Sequence, residues 1–94
     1  MAKFVFFGKY TSKAMEGMSA ERTKQAAGLA EKFGGEITAG YALLGETDLV
    51  FIGDFPSVEK AMQVSVAVSK LTGIALTTAP AVSIDEFDKL VAET

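Results

Sequence analysis

The sequence predicts an α+β fold in which one antiparallel sheet of four strands is covered by helices. The first observation is an internal repeat, because FVFFGKYTS at residues 4–12 recurs 45 positions later as LVFIGDFPS at residues 49–57. Each copy is a β-prone run that ends in a helix N-cap residue. The second observation is the order of segments, which alternate as β-α-β-β-α-β before a final helix. A chain of 94 residues forms only one core, so residues 1–94 are expected to be one domain built from two similar halves.

The first half of the chain contains a strand, a helical segment and a second strand. Aromatic and β-branched residues predict the first strand over residues 3–10. Residues 12–33 have helical spacing and stop at Gly34-Gly35, which predicts one helix. The stretch from Gly17 to Ser19 also allows a short turn followed by a helix capped at its serine. Residues 36–44 predict the second strand.

The second half begins with a hairpin and repeats the strand-helix-strand order. Residues 45–48 (GETD) are turn formers that lead into a third strand at residues 49–55. Residues 57–72 predict a helix, because a serine cap and an acidic first turn open the segment and Gly73 follows a basic last turn. Part of this helix, QVSVAVS, has the period-two pattern that a strand would also show. Residues 74–82 predict the fourth strand.

Residues 83–93 predict a short amphipathic helix at the end of the chain. The segment opens with the capping box SIDE, and Val82 and Phe87 have the spacing of a hydrophobic staple. Its apolar positions share one helix face: Ile84, Phe87, Leu90 and Val91. We therefore expect this helix to dock on another surface through that face.

The predicted order is the split βαβ plan of ferredoxin-like folds. We expect the first and third strands to lie parallel and adjacent at the sheet centre, which would bring Lys9 and Asp54 together at the strand ends. Both strands are apolar on both faces, so two helices on one face would leave the other face without a cover. A two-fold homodimer with facing sheets would supply that cover.

The composition excludes several classes of function. The net charge of −3 resides in residues 83–94, and residues 1–82 are neutral without a basic stripe, so no nucleic-acid partner is expected. The chain has no His, Cys, Trp or Asn, which excludes the usual zinc sites, His- or Cys-ligated haem and His-based nucleophile sets. We therefore expect no metal and no cofactor. Neither a signal-peptide pattern nor an apolar run of about 18 residues is present, so no membrane contact and a cytoplasmic location are expected.

Short motifs distributed along the chain resemble those of a known family. The matching positions are Lys9-Tyr10-Thr11, Arg22, Gly34-Gly35, Leu44 to Asp48, Val50, Asp54, Gly73 and Thr77-Thr78. On these residues the chain resembles the GYD-domain family of small bacterial proteins over nearly its whole length. Thr47 stands where the naming motif has tyrosine, so no role of that ring carries over. The resemblance implies a dimeric α+β barrel, a group with cofactor-independent monooxygenases, isomerases and haem-dependent enzymes, and it leaves the activity open.

Seven side chains are candidate ligand contacts: Lys9, Tyr10, Arg22, Tyr41, Asp48, Asp54 and Thr77. Lys9 and Asp54 are consistent with an acid–base pair at the mouth of a pocket or with an ordinary ion pair. Arg22, the only arginine, is suited to the carboxylate of a small acid or to an acidic neighbour, namely Glu21, Glu36 or Asp54. Asp48 suits a hairpin turn as well as a ligand.

The remaining candidates have equally ordinary alternatives. Tyr10 and Tyr41 either pack in the core with one wet end or present hydroxyl groups to a pocket. Thr77 and Thr78 place one hydroxyl on each sheet face, so one of them is expected to enter the interior.

The first hypothesis for the function is a small homodimeric binding or assembly module for an unknown apolar or acidic ligand, with a cavity between sheet and helices or at the dimer seam. The alternative is a cofactor-free enzyme of the monooxygenase or isomerase type acting on a small apolar acid, with Lys9, Asp54, Arg22 and Tyr41 in its site. A third hypothesis is a purely structural oligomer in which the terminal helix docks. A cavity of about 300 Å³ or more that holds Lys9 and Asp54 would favour a ligand.

Overall fold

The computed structural model describes residues 1–94 and has the predicted α+β, ferredoxin-like architecture. Its elements are β1 (Ala2–Lys9), α1 (Ser12–Glu16), α2 (Ala20–Lys32), β2 (Glu36–Ala42), β3 (Leu49–Phe55), α3 (Val58–Thr72), β4 (Ala75–Ala81) and α4 (Ile84–Ala92). The strands form one sheet in the order β2-β3-β1-β4, and all neighbouring pairs are antiparallel. The helices α2 and α3 pack on one face of this sheet.

The helical segment after β1 is two helices rather than one. The Thr11 hydroxyl accepts a hydrogen bond from the Ala14 amide at 3.1 Å and starts α1, which ends at Gly17. The Ser19 hydroxyl then accepts from the Arg22 amide at 3.0 Å and starts α2. The prediction of one continuous helix is therefore wrong, and the alternative of a break before Ser19 is confirmed, because two capping residues each start a helix of their own.

The segment with the period-two pattern lies inside α3. Ala61, Val64 and Val68 are buried, and their spacing of three and four residues is that of one helix face. Gly73 ends the helix with a φ of 79°, a left-handed conformation that suits glycine. The residues at helical spacing pack in the core. The alternating pattern in the sequence does not correspond to a strand in the structure.

The predicted parallel pairing of the first and third strands is wrong, because β1 and β3 run antiparallel. In this plan each helical crossover joins two parallel strands that have a third strand between them, so the two central strands oppose each other. Lys3, and not Lys9, is therefore the cross-strand neighbour of Asp54. Lys9 lies six residues farther along β1, or about 20 Å at the rise of an extended strand.

Aromatic rings form the centre of the core between the sheet and the helices. Phe4, Phe6, Phe55 and Val64 are the largest side chains that are fully buried. The Phe6 ring stacks on Phe51 with 4.6 Å between centroids and meets Phe55 edge-on at 5.6 Å. Both arrangements are favourable for aromatic quadrupoles, so this group orients β1 and β3 as well as excluding water.

The opposite face of the sheet is apolar, and no helix covers it. Val5 and Phe7 of β1 stand beside Ile52 and Val50 of β3, and Phe7 remains 40% exposed. We call these four residues, with their neighbours Tyr41 of β2 and Thr77 of β4, the open face. The helix α4 is also without cover, since none of its residues is buried.

The close approach at Gly53 gives a first testable prediction. A Cβ atom there would lie 2.8 Å from the Glu36 carbonyl oxygen and 2.9 Å from the Phe55 ring. Gly53→Ala is expected to lower the free energy of unfolding by about 1–3 kcal/mol, because backbone and a buried ring must shift. Gly28→Ala is the control, because nothing lies within 4 Å of that position in α2. The control should raise stability by about 0.5–1 kcal/mol in urea titrations, and equal effects of the two changes would contradict this account.

The buried hydroxyl of Thr78 gives a second prediction. Its oxygen lies on the helix-covered side without a hydrogen-bond partner, whereas Thr77 is exposed on the open face. Thr78→Val should raise the free energy of unfolding by about 1 kcal/mol, because an unsatisfied buried hydroxyl is replaced by a methyl group. Thr77→Val should change it by less than about 0.5 kcal/mol. A loss of stability in the Thr78 variant, measured by the same urea titration, would show that the hydroxyl has a partner in solution.

Candidate functional site

A cleft of about 520 Å³ lies between α2, the β2–β3 side of the sheet and the end of α3. Most of its lining is apolar and includes Ala26, Ile37, Leu49, Phe51, Val68 and Ile74. Tyr10, Arg22, Thr23 and Thr72 supply polar groups. The cleft is therefore on the helix-covered side of the sheet, which the sequence left undecided.

Small side chains on α2 open this cleft. Thr23, Ala26 and Ala27 line it from the first part of the helix, whereas Leu29 and Phe33 pack against the core at the other end. A helix fixed by large side chains at one end and carrying small ones at the other leaves space beside the sheet. In the sequence this signal is a set of small residues at helical spacing, and the position of the cleft beside α2 was not predicted from it.

Arg22 lies at the cleft without an acidic partner. One guanidinium nitrogen, Nη1, donates a hydrogen bond to the Ala14 carbonyl oxygen at 2.6 Å, which ties α2 to α1. No carboxylate lies within 4.0 Å, so the predicted pairing with Glu21, Glu36 or Asp54 is absent. The side chain is half-buried, and its remaining N–H groups make no hydrogen bond within the chain. This leaves a fixed positive charge with free donors beside an apolar cleft.

Tyr10 and Thr72 complete the polar part of the lining. The Thr72 hydroxyl is satisfied internally, because it donates to the Val68 carbonyl at 2.7 Å and accepts from the Ile74 amide at 3.0 Å. The Tyr10 hydroxyl makes no hydrogen bond within the chain. The Thr23 hydroxyl donates to the Ser19 carbonyl at 3.2 Å, so Arg22 and Tyr10 are the polar lining groups on the helix-covered side whose donors remain unused.

Asp48 connects the β2–β3 hairpin to the end of β1. Its carboxylate accepts a hydrogen bond from the Tyr10 amide at 2.9 Å and lies 3.6 Å from the Lys9 ammonium. Its own amide donates to the Gly8 carbonyl at 2.9 Å. These contacts fix the backbone at Tyr10 and therefore the position of that ring in the cleft wall. The carboxylate satisfies a backbone donor, as expected for a turn residue, but the donor belongs to a neighbouring strand end.

Lys9 and Asp54 do not form a pair. Asp54 lies 3.2 Å from Lys3 at one end of the β1–β3 ladder, and Lys9 lies by Asp48 at the other end. Both lysines are exposed and both aspartates are half-buried, so each ion pair contributes about 1 kcal/mol or less. Neither Lys9 nor Asp54 lines the cleft, so the expected combination of a cavity with both groups inside it is absent.

The seven candidate residues therefore divide between two places. Tyr10 and Arg22 line the cleft, whereas Tyr41 of the edge strand β2 borders the cleft but belongs to the open face and is 60% exposed. The others lie on the open face or at the ends of its strands: Lys9, Asp48, Asp54 and Thr77. Whether any of the seven contacts a ligand stays a prediction.

The structure contains neither a metal-binding cluster nor a helix that could cross a membrane. No group of three or more His, Cys, Asp or Glu side chains is arranged to hold a metal ion. None of the helices has the length and apolar character that crossing a bilayer requires.

Comparison with known proteins gives a family and a fold. No curated protein matches the chain. The crystal structure of an AsnC family transcriptional regulator from Agrobacterium tumefaciens is similar, with a TM-score of 0.55 and 18% sequence identity. The match covers 87% of this chain and 51% of that one, so the chain spans about half of the regulator's length, and the likeness concerns the fold alone. The GYD domain model matches residues 4–91, and the chain therefore belongs to the GYD domain family.

Proposed function

We propose that this chain is a homodimeric binding module that holds a small apolar ligand with one acidic group in the cleft beside α2. The observation that carries this proposal is the unpaired, half-buried Arg22 next to a cleft of about 520 Å³ with a mainly apolar lining. Clefts that bind small molecules are typically about 300–1,000 Å³ and combine an apolar lining with a few polar groups. The cleft has both the size and the composition of such sites.

The chemistry of Arg22 determines the class of ligand. Guanidinium groups bind carboxylates through two parallel hydrogen bonds, and such charge-assisted bonds are stronger than neutral ones. One Arg22 nitrogen is already bound to Ala14, which fixes the orientation of the group before a ligand arrives. The Tyr10 hydroxyl in the same lining can donate a further hydrogen bond.

The open face supports the homodimer. Val5, Phe7, Val50 and Ile52 form an apolar centre, and the ion pairs of Lys3 and Lys9 lie at its two ends. An apolar centre with a charged rim is the composition of stable protein interfaces. We propose that two copies meet with these faces opposed across a two-fold axis.

The enzyme alternative has no comparable support. It relied on Lys9 and Asp54 as neighbouring acid and base, and these residues lie at opposite ends of the β1–β3 ladder and outside the cleft. A general acid or base must come within hydrogen-bonding reach of the reacting group. Binding without chemistry is therefore the function that the arrangement favours.

The ligand proposal predicts a difference between a carboxylate and a matched neutral compound. Octanoate should bind the protein more tightly than 1-octanol in isothermal titration calorimetry, because only octanoate pairs with Arg22. Arg22→Gln should weaken octanoate binding about tenfold or more, which corresponds to about 1.4 kcal/mol, and should leave 1-octanol unchanged.

Lys24→Gln is the control for this experiment, because it removes the same charge from an exposed position of the same helix. Ala27→Leu, which fills the cleft, should weaken both compounds. Equal octanoate affinities of the Arg22 variant and the Lys24 variant would contradict the assignment of Arg22.

The dimer proposal predicts the mass of the protein in solution. Sedimentation at micromolar concentration should give twice the monomer mass of 9.9 kDa. Phe7→Lys should shift the protein to monomer, because each interface would then bury a lysine from both copies. Met62→Lys, a change of the same kind at an exposed position on α3, should leave the dimer intact. A monomeric parent protein would contradict the opposed faces and would leave the ligand proposal to its own test.

A further inference from the structure

The helix α4 carries an apolar face that the rest of the chain does not cover. The fractional exposures of its apolar side chains are 78% for Ile84, 55% for Phe87, 53% for Leu90 and 52% for Val91. Its other positions are mostly acidic, so the helix is strongly two-sided. Its N-terminus is capped, since the Ser83 hydroxyl accepts a hydrogen bond from the Glu86 amide at 3.1 Å. A helix of this kind is stabilised mainly by packing of its apolar face, and that packing is missing within the chain.

The surface of the whole chain is larger than that of a compact monomer. A monomeric protein of 9.9 kDa is expected to expose about 5,200 Å², whereas this chain exposes 6233 Å². Its radius of gyration is 14.1 Å, compared with about 12.4 Å expected for a compact chain of this length. The excess of about 1,000 Å² is close to the roughly 800 Å² that one partner buries in a standard interface.

A second uncovered apolar element lies at the β2–β3 hairpin. Leu44 at the turn is 103% exposed, and its neighbour Leu43 is 42% exposed. The hairpin follows Ala42, at the end of the sheet where Gly8 and Leu76 also lie. The helix α4 follows Ala81 at the opposite end.

The hairpin and α4 therefore occupy diagonally opposite corners of the sheet. The strand order places β2 at one edge and β4 at the other, and the antiparallel registers place the two elements at opposite ends. In a dimer with opposed sheets, the two-fold axis runs between the two sheets. If it runs along the other diagonal of the sheet, it places the hairpin corner of one copy over the α4 corner of its partner. The hairpin of each copy then lies beside α4 of its partner, and the strands of the two sheets cross at a large angle, as in orthogonal sheet packing.

We propose that α4 is an exchanged arm, whose apolar face packs on the β2–β3 hairpin of a second copy of this chain. The inference rests on the proposed dimer, because it requires the open faces to be opposed, and it adds the orientation of the two copies. Phe87 and Leu90 supply the contact from the arm, and Leu43 and Leu44 supply it from the hairpin. Each dimer contains this contact twice. The assembly is therefore closed, because no hairpin and no α4 helix remains free to bind a third copy.

The absence of cysteine from the chain allows a sharp cross-linking test. In the double variant Leu44→Cys/Phe87→Cys, the two thiols of one chain lie at opposite corners of the sheet. Their Cα atoms are then far beyond the about 7 Å that a disulfide can bridge. Oxidation with diamide, which takes up the two electrons and two protons released per disulfide, should give a covalent dimer with no free thiol. Each such dimer should contain two disulfides, as counted by non-reducing electrophoresis and intact mass.

The control is the double variant Leu44→Cys/Met62→Cys, whose second cysteine is as exposed as Phe87 but lies on α3. It should give at least tenfold less of the closed covalent dimer after the same time. Equal yields from the two variants, with a parent protein that sediments as a dimer, would overturn the exchanged arm and leave the opposed faces intact. A parent protein that sediments as a monomer would overturn both. Circular dichroism of each reduced variant establishes that the fold is unchanged.

Discussion

The antiparallel register of β1 against β3 is the constraint on which the rest of this structure depends. It places Phe6 beside Phe51 on the helix-covered side, so that the stacked rings join the core. Because side chains alternate along a strand, the same register places Phe7 beside Val50 on the open face. A single strand pairing thus determines the core and the apolar surface that faces away from it. It also separates Lys9 from Asp54, which removes the charge pair that the repeated sequence had suggested.

The architecture was accessible from the sequence because its signals are local. Caps, glycine stops and apolar spacing act within a few residues, so they predicted the strands, α3 and α4 and left the break before Ser19 as an alternative. The relative direction of β1 and β3 is not local. It follows from how the two crossovers interleave, and the sequence repeat, which suggested two equivalent strands in one direction, was misleading. Residues at equal positions in two similar halves are related by the two-fold symmetry of the fold and therefore lie at opposite ends of the sheet.

The candidate site was only partly predictable for a related reason. Arg22 was identified because it is the only arginine, and Tyr10 because it is one of two tyrosines whose hydroxyl groups could reach a pocket. The cleft itself depends on what is missing from α2, namely large side chains at Thr23, Ala26 and Ala27. Space between elements has no sequence motif of its own, because its size depends on how the large residues elsewhere, such as Leu29 and Phe33, set the position of the helix.

The strand order also bears on how the chain is made. The strand β1 pairs with β3 and β4, which both belong to the second half of the chain, and with nothing in the first half. During synthesis β1 therefore leaves the ribosome without a hydrogen-bonding partner until residues 49–55 follow it. Contacts between residues so distant in sequence close slowly, because the entropy of the intervening loop must be lost first. The aromatic run of β1 is thus the part of the sheet that waits longest for its hydrogen-bonding partners while the chain is being made.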